Sequence, residues 1–222
     1  MNFEELKPET EAEWLELRTK VLTATDSGVI LGLNPWKSVR ELVESKAEYT
    51  PINNAYTMLG QWLEPVVVSA VNATLDTSYE LFDTDGTRSF FADEELGLGA
   101  TPDAGCGESL LECKSTKPRN FIKWAYWPPA YYLMQLYTQL ICTGRQHGLL
   151  AVMSTNLTQY SEELNIPLHI FELVRTPEID AILIAEVERF WEAVDAGKLY
   201  RVNRKQAVPL ELKLRFATRK IR

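Results

Sequence analysis

A block of short apolar runs in the middle of the chain, with helical patterns on both sides, most limits what this sequence can fold into. The runs are Tyr79–Phe82, Ser89–Phe91, Gly97–Thr101 and Leu110–Lys114. Glycine and proline residues separate them, and this pattern predicts strands joined by turns. Two later apolar runs predict further strands, at Gly148–Met153 and Leu168–Leu173.

Amphipathic patterns on either side of this block predict helices. The predicted helices are Glu11–Leu22, Asp26–Leu31, Val39–Ala47, Ala55–Ala73, Ala130–Cys142 and Pro177–Ala196. Thr25 or Asp26 is suited to cap the second helix and Ser38 the third, through a side-chain oxygen. Helices before and after a set of strands predict an α/β fold of three layers, α/β/α, with a central mixed sheet flanked by helices.

Length and composition indicate one domain. The 222 residues are 45% hydrophobic, enough for one substantial core, and no linker-like tract divides residues 1–222. No apolar run reaches the roughly 18 residues that a membrane-spanning helix needs. The acidic first residues lack the pattern of a secretory signal. We therefore expect a cytoplasmic protein without a membrane partner.

The net charge of −8 is unevenly distributed along the chain. From residue 198 to the end, nine basic residues accompany one acidic residue, so this segment carries +8 and the rest of the chain −16. A basic segment is suited to the phosphates of nucleic acid. A solvated, partly disordered basic tail at about 198–222 is the alternative interpretation.

Cysteine and histidine are too few for a soft metal site. Cys106, Cys113 and Cys142 have no paired close spacing, and His147 and His169 do not lie beside other ligands at a metal-binding spacing. Disulfide frameworks and zinc sites both require more. Any metal should therefore be a hard cation bound through oxygen.

The residues that point to chemistry are Asp103 and, nine positions later, the triplet Glu112-Cys113-Lys114. In a strand, alternate side chains share a face, so Glu112 and Lys114 should point to the same side. A turn at Gly105–Gly107 would bring Asp103 beside them. Two carboxylates at this point suit Mg²⁺, for which Mn²⁺ can substitute, with the main-chain carbonyl of Cys113 as a further ligand.

Such a site suits phosphodiester hydrolysis, which needs a Lewis acid, an oriented water and stabilisation of the leaving alkoxide. Lys114 would orient the water, either with its basicity lowered by burial or as a positioned ammonium. A bare Glu-x-Lys triplet is more often a solvated strand edge. A sequence- or structure-specific endonuclease and a catalytically silent DNA-binding subunit are alternatives, and a carboxylate-pair glycosidase would leave Lys114 unexplained.

Four blocks in order resemble the lambda-exonuclease-type viral recombination exonucleases, of the proline-Asp…Glu-x-Lys nuclease superfamily. The blocks begin at Trp14, at Leu59, at Gly99 and at Ala130, and they span about the first 155 residues. The resemblance implies a restriction-endonuclease-like fold and an Mg²⁺-dependent 5′→3′ exonuclease on double-stranded DNA ends, leaving 3′ single-stranded overhangs. It also implies a ring-shaped homotrimer, a single-strand annealing protein as partner, and a phage or prophage origin in a bacterial host.

The same resemblance assigns roles to residues outside the triplet. Glu64 would be a further carboxylate at the metal, Gln135 would help to place the attacking water, and Arg18, Thr25 and Thr101 would bind the 5′-phosphate. Arginine and hydroxyl donors near a helix start form a reasonable anion pocket. Without the resemblance, each of these except Gln135 is more often an ordinary surface or capping residue. An amide on an apolar helix face, by contrast, needs a partner. Threonine replaces the family's usual serine at 25 and 101, and Ala104 replaces its usual glycine.

Basic and aromatic residues alternate between positions 117 and 129, as in surfaces that hold nucleic acid. Arg119 and Lys123 are the predicted DNA contacts there. Trp124 and Trp127 are at least as well suited to packing. Tyr132, one helical turn before Gln135, either projects into the site or packs.

Overall fold

The computed structural model describes residues 1–47, 55–84, 87–156 and 166–222. The described helices are α1 (Glu11–Lys20), α2 (Ala24–Ile30), α3 (Val39–Ala47), α4 (Ala55–Leu75), α5 (Pro118–Lys123), α6 (Ala130–Cys142), α7 (Pro177–Asp195) and α8 (Arg204–Phe216). Within these ranges no helix is both long and apolar enough to cross a membrane.

Strands of the model form a large mixed sheet and two smaller ones. They are β1 (Glu4–Leu6), β2 (Leu22–Thr23), β3 (Glu80–Leu81), β4 (Asp83–Thr84), β5 (Thr87–Arg88), β6 (Phe90–Asp93), β7 (Leu98–Ala100), β8 (Ala104–Cys106), β9 (Ser109–Thr116), β10 (His147–Ser154), β11 (Leu168–Val174) and β12 (Thr218–Lys220). The large sheet has the order β12-β11-β10-β9-β8-β3, with β9 and β10 parallel. The order β1-β6-β7-β2 makes a second sheet, and β4 pairs with β5.

Helices cover both faces of the large sheet. Val67, Val68 and Val71 of α4 pack with Leu111 and its neighbours on one face. The other face carries α6, whose buried residues join those of α2, α7 and α8 in the larger core. This is the three-layer α/β/α arrangement predicted from the sequence, and it places β9 at its centre with α4 and α6 on opposite sides.

Most predicted elements are present with shifted ends. The helices Val39–Ala47 and Ala130–Cys142 have the predicted bounds. The first helix stops at Lys20 rather than Leu22, because Leu22 and Thr23 pair with β7. Thr23, rather than Thr25 or Asp26, is the N-cap of α2. The Asp26 carboxylate accepts a hydrogen bond from the backbone N–H of Thr23, as in a capping box.

The interpretation of residues 198–222 as a partly disordered tail is wrong. The segment contains α8, whose Leu210 and Leu214 are fully buried, and β12, which extends the large sheet by pairing with β11. A proline inside the helix, Pro209, and the density of basic residues hide the helical pattern in the sequence. The positive charge of this segment therefore lies on a folded edge of the molecule.

Candidate active site

The centre of the site is Glu112 on β9. Alternation along this strand sends Leu111 and Cys113 into the core beneath α4, and sends Glu112 toward α6. The side chain of Glu112 is completely buried, with 0% of its surface exposed. A carboxylate in this position requires charged or hydrogen-bonding partners, because burial of an unpaired charge is very costly.

Three side chains supply those partners. Lys114, two residues along the same strand, contacts Oε1 of Glu112. Gln135 Nε2 donates to Oε1 at 2.6 Å, and Gln139 Nε2 donates to Oε2 at 2.6 Å. Gln135 and Gln139 are four residues apart on α6, so they lie on one face of that helix. Both oxygens of the buried carboxylate are thereby held in place.

Asp103 joins the site from the segment between β7 and β8. Its Oδ2 accepts a hydrogen bond of 2.7 Å from the backbone N–H of Cys113. Pairing of β8 with β9, with Ala104 opposite Leu111, brings Asp103 beside the triplet as the predicted turn requires. Burial, and then the negative charge of Glu112, raise the pKa of Asp103 well above its usual value.

Glu64, on α4, is close enough to Glu112 and Lys114 to interact with their charges. Burial raises the pKa of Glu64 to about 7, with the negative charge of Glu112 adding to this and the ammonium of Lys114 opposing it. Burial is the larger cause of the elevated pKa values of Asp103 and Glu64, and repulsion from Glu112 adds to it, since one ammonium faces three carboxylates.

Lys114 remains an ammonium in this setting. Burial by itself would lower the pKa of Lys114, but attraction to Glu112 and Asp103 outweighs it and raises the pKa above the usual value. Of the two predicted forms of Lys114, the raised pKa favours the positioned ammonium over a lysine with lowered basicity. The ring of Tyr132 lies 5.4 Å from Nζ, within range of a cation–π contact.

A cavity of about 320 Å³ opens beside this cluster, and its described lining does not include Glu112 or Lys114. Its lining includes Asp103, Glu64 and Gln135, and also the three residues predicted to bind a phosphate, Arg18, Thr25 and Thr101. The structure therefore brings the carboxylates and the predicted phosphate residues to one space, although they come from α1, α2, α4, α6 and the end of β7.

Trp14 links two of the predicted phosphate residues. Its indole Nε1 donates to the hydroxyl of Thr101 at 3.1 Å, and the guanidinium carbon of Arg18 lies 4.5 Å from its ring centroid. Trp14 and Arg18 are four residues apart on α1, so one helix face presents both. Trp14 also lines the cavity.

A buried ion cluster fixes the start of α2 next to Arg18. Asp26 accepts hydrogen bonds from the Thr23 backbone and hydroxyl, from Lys46 at 2.8 Å and from Lys37 at 3.2 Å. Lys46 also donates to the backbone carbonyls of Arg18 and Val21. The cluster ties the end of α1 to α2 and α3, and so it holds Arg18 and Thr25 at the cavity.

The basic and aromatic stretch contributes less to this space. Arg119 and Lys123 are exposed on α5, and the described lining of the cavity does not include them. Trp124 is buried in the main core, where its ring meets that of Tyr132 edge to face at 5.6 Å. The Tyr132 ring thus packs against Trp124 and also faces the Lys114 ammonium. Arg119 and Lys123 remain predictions as DNA contacts.

Comparison with known sequences assigns the chain to a family. Residues 13–146, more than half of the chain, match the sequence model of the YqaJ-like viral recombinase domain. The chain belongs to this family. The part that matches the viral recombinase domain includes every residue that lines the cavity. A comparison with curated protein sequences finds no match.

Solved structures share the fold of this viral recombinase domain. The alkaline exonuclease LHK-Exo from Laribacter hongkongensis is 21% identical, with a TM-score of 0.64 over 84% of this chain and 93% of that chain. Its complex with dAMP is 22% identical, with a TM-score of 0.65 and the same coverage. A phage-related exonuclease from Haemophilus somnus 129PT is 13% identical, with a TM-score of 0.51 over 86% of this chain and 90% of that chain. What the chain shares with these structures is the three-layer α/β/α fold.

The donor set of this viral recombinase domain fits a hard divalent cation. Carboxylate oxygens are the ligands that Mg²⁺ prefers. Burial, and to a smaller extent the charge of Glu112, disfavour the ionised forms of Asp103 and Glu64, and a bound cation would favour those forms. In the described ranges, no group of three His, Cys, Asp or Glu side chains is arranged as a metal site. The oxygens of Glu112 are instead engaged by Lys114, Gln135 and Gln139.

Gln139 is the site residue that sequence reasoning missed. Its spacing of four residues from Gln135 on an apolar helix was the available signal, since both amides then share one face. Trp14 was also missed as part of the site. Its position one turn before Arg18 gave a weaker signal, because a tryptophan on an amphipathic helix is usually a packing residue.

We expect Gln139→Leu to lower kcat on linear duplex DNA by about tenfold to a hundredfold, as loss of a hydrogen bond to a charged group costs about 1.5–3 kcal/mol. Glu112 would lose one of its anchors while keeping those from Lys114 and Gln135. Steady-state kinetics would measure the effect, with Gln206→Leu, on α8, as the matched control. A kcat equal to that of the control would show that Gln139 does not position Glu112.

Proposed function

We propose that this protein is an Mg²⁺-dependent 5′→3′ exonuclease that digests one strand of linear double-stranded DNA and leaves 3′ single-stranded overhangs. The observation that carries the proposal is the shared cavity, in which Asp103, Glu64 and Gln135 face the same space as Arg18 and Thr101. If Arg18 and Thr101 held the terminal phosphate of a strand, the first phosphodiester of that strand would lie near Asp103, Glu64 and Gln135.

Each side chain has a role that follows from its charge and partners. Asp103, Glu112, Glu64 and the carbonyl of Cys113 would hold Mg²⁺, which supplies Lewis-acid activation of a phosphate oxygen and of water. Gln135 and Lys114 are placed by Glu112 to orient the attacking water by hydrogen bonds. The Lys114 ammonium also offsets negative charge as the leaving oxygen departs.

Directionality comes from the phosphate residues. Arg18 offers a guanidinium fork that matches a terminal phosphate, and Thr25 and Thr101 offer hydroxyl donors. Thr101 accepts a hydrogen bond from Trp14, so its hydroxyl proton is available to point elsewhere. A terminal phosphate has one more negative charge than an internal one, which favours a strand end.

The family also supports proposals about context. A viral recombinase domain fits a phage or prophage origin and a DNA substrate. We extend the proposal to a ring-shaped homotrimer that works beside a single-strand annealing protein in the host cytoplasm. The charge division between residues 198–222 and the rest of the chain is compatible with head-to-tail contact between copies.

Digestion of linear and closed circular duplexes of the same sequence tests the proposal against the endonuclease alternative. In Mg²⁺ we expect the linear DNA to be degraded from its ends and the closed circle to remain intact. A single cut in the same circle, made beforehand, provides the matched control for DNA quality. Cutting of the closed circle would instead support a structure- or sequence-specific endonuclease.

Arg18→Ala should remove the preference for phosphorylated ends. A charged hydrogen bond to phosphate is worth about 1.5–3 kcal/mol, so the activity on 5′-phosphorylated ends should fall about tenfold to a hundredfold. Activity on 5′-hydroxyl ends should change little. Kinetics on the two substrates would measure this, with Arg40→Ala, an exposed arginine paired with Glu44, as control. Equal losses on both ends would contradict the assigned role.

A further inference from the structure

A second cavity adjoins the active-site cavity. It has a volume of about 440 Å³ and is lined by Pro8, Thr10, Glu11, Trp14, Met58, Gln61, Asp83 and Arg88. Four of these also line the active-site cavity, namely Trp14, Gln61, Asp83 and Arg88. The two spaces therefore meet at these four residues.

Arg88 is the cation at this junction, and two contacts fix its position. It lies opposite Asp83 in the β4–β5 pair, and its Nε donates to Asp83 Oδ2 at 2.8 Å. Its guanidinium carbon lies 4.6 Å from the ring centroid of Trp14. Only 29% of the side chain is exposed. The long side chain is thus already ordered, which lowers the entropy cost of binding a ligand.

The bond to Asp83 leaves Arg88 able to bind an anion. It uses Nε, whereas a guanidinium also carries four N–H donors on Nη1 and Nη2, arranged to match a phosphate. Arg18 lies over the same indole ring, at 4.5 Å. Two guanidinium groups against one ring add positive charge to the wall of the cavity, which favours an anion there.

We infer that Arg88, with Trp14 and Gln61, forms a second phosphate subsite, which binds an internal phosphodiester of the strand being digested. The inference rests on the proposed exonuclease function and adds a contact beyond the terminal phosphate. Asp83 acts against this subsite, because its carboxylate competes with the DNA phosphate for Arg88. Arg88 therefore contributes to affinity for every DNA strand, whatever its terminal group.

Substitutions of Arg88 and Asp83 test the inference, because they should change DNA binding in opposite directions. Arg88→Ala should raise KM about tenfold on both 5′-phosphorylated and 5′-hydroxyl ends, and Arg88→Lys should restore part of the loss. In EDTA, where no hydrolysis occurs, the salt dependence of duplex binding should lose about one unit of slope in Arg88→Ala. Asp83→Asn should strengthen binding. Arg40→Ala, on α3, is the matched control.

The Asp83→Asn variant separates phosphate binding from a merely structural ion pair. If Arg88 only held the β4–β5 pair together, Asp83→Asn would weaken binding as Arg88→Ala does, and that result would overturn the inference. An unchanged KM and salt slope in Arg88→Ala would overturn it as well. In both cases the wild-type protein would still digest DNA, whereas absence of wild-type digestion would refute the proposed function itself.

Discussion

Lys114→Ala is expected to lower the rate of DNA hydrolysis by about a thousandfold or more, a loss of about 4 kcal/mol of transition-state stabilisation. Lys114 is the one cationic group in contact with Glu112 among the described residues. Burial lowers its pKa, but attraction to Glu112 and Asp103 outweighs burial and raises the pKa above the usual value, so the side chain is charged at neutral pH. In the proposed mechanism, alanine would remove both the hydrogen-bond donor for the attacking water and the charge that offsets the leaving oxygen.

Folding should survive this substitution, because Glu112 keeps its hydrogen bonds from Gln135 and Gln139. Single-turnover kinetics on a 5′-phosphorylated duplex would measure the rate, and thermal unfolding would verify the fold. Lys213→Ala, which removes an exposed lysine paired with Glu178, is the matched control. If Lys114→Ala retained the wild-type rate, Lys114 would have no part in the hydrolysis and the assigned site would be wrong. Absence of hydrolysis by the wild-type protein itself would make a silent DNA-binding subunit the better interpretation.

Asp26→Asn is expected to lower the free energy of unfolding by about 3–5 kcal/mol, the usual cost of removing one partner from a buried ion pair. Lys46 would be left buried beside Arg18 without its counter-ion, and one of the two oxygens that accept hydrogen bonds from Thr23, Lys46 and Lys37 would become an amide donor. Chemical denaturation monitored by tryptophan fluorescence would measure the change. Lys37→Ala, which removes the more exposed of the two lysines, should cost less than about 1 kcal/mol.

The pH dependence of this cluster has a defined sign. Burial would raise the pKa of Asp26, but the ammonium groups of Lys46 and Lys37 outweigh it and hold the pKa below its usual value. A lowered folded-state pKa stabilises the fold above the unfolded-state pKa, and the contribution is lost as the pH falls toward the folded-state value. The stability difference between wild type and Asp26→Asn should therefore shrink in acid. A difference that stayed constant down to pH 2 would contradict the ion-pair account.

Local pattern was sufficient to predict the elements around the site. The strong apolar periodicity of residues 130–142 gave the bounds of α6, and the alternation at 110–114 placed Glu112 and Lys114 on one side of β9. The spacing of Asp103 from Glu112 fitted two adjacent strands. These features could be predicted because they depend on residues that are neighbours in the sequence.

Contacts between distant segments could not be predicted in the same way. Gln139 meets Glu112 only because α6 docks across β9, and Lys46 meets Asp26 from another helix, 20 positions away. Arg88 reaches Trp14 from a different part of the chain. Each of these polar residues also had an ordinary surface interpretation. Only the tertiary packing excludes the surface interpretation, and no pattern of neighbouring residues reveals that packing. Helix α8 was not predicted because Pro209 interrupts its helical pattern.

The most direct test of the central claim follows the two ends of one strand in a linear duplex. One preparation carries a labelled 5′-phosphate and the other a label at the 3′ end of the same strand. With Mg²⁺, the account predicts that the 5′ label is released at once as a mononucleotide, while the 3′-labelled strand shortens gradually. With EDTA, neither label should be released. Earlier release of the 3′ label, or release of either label in EDTA, would contradict a metal-dependent 5′→3′ exonuclease.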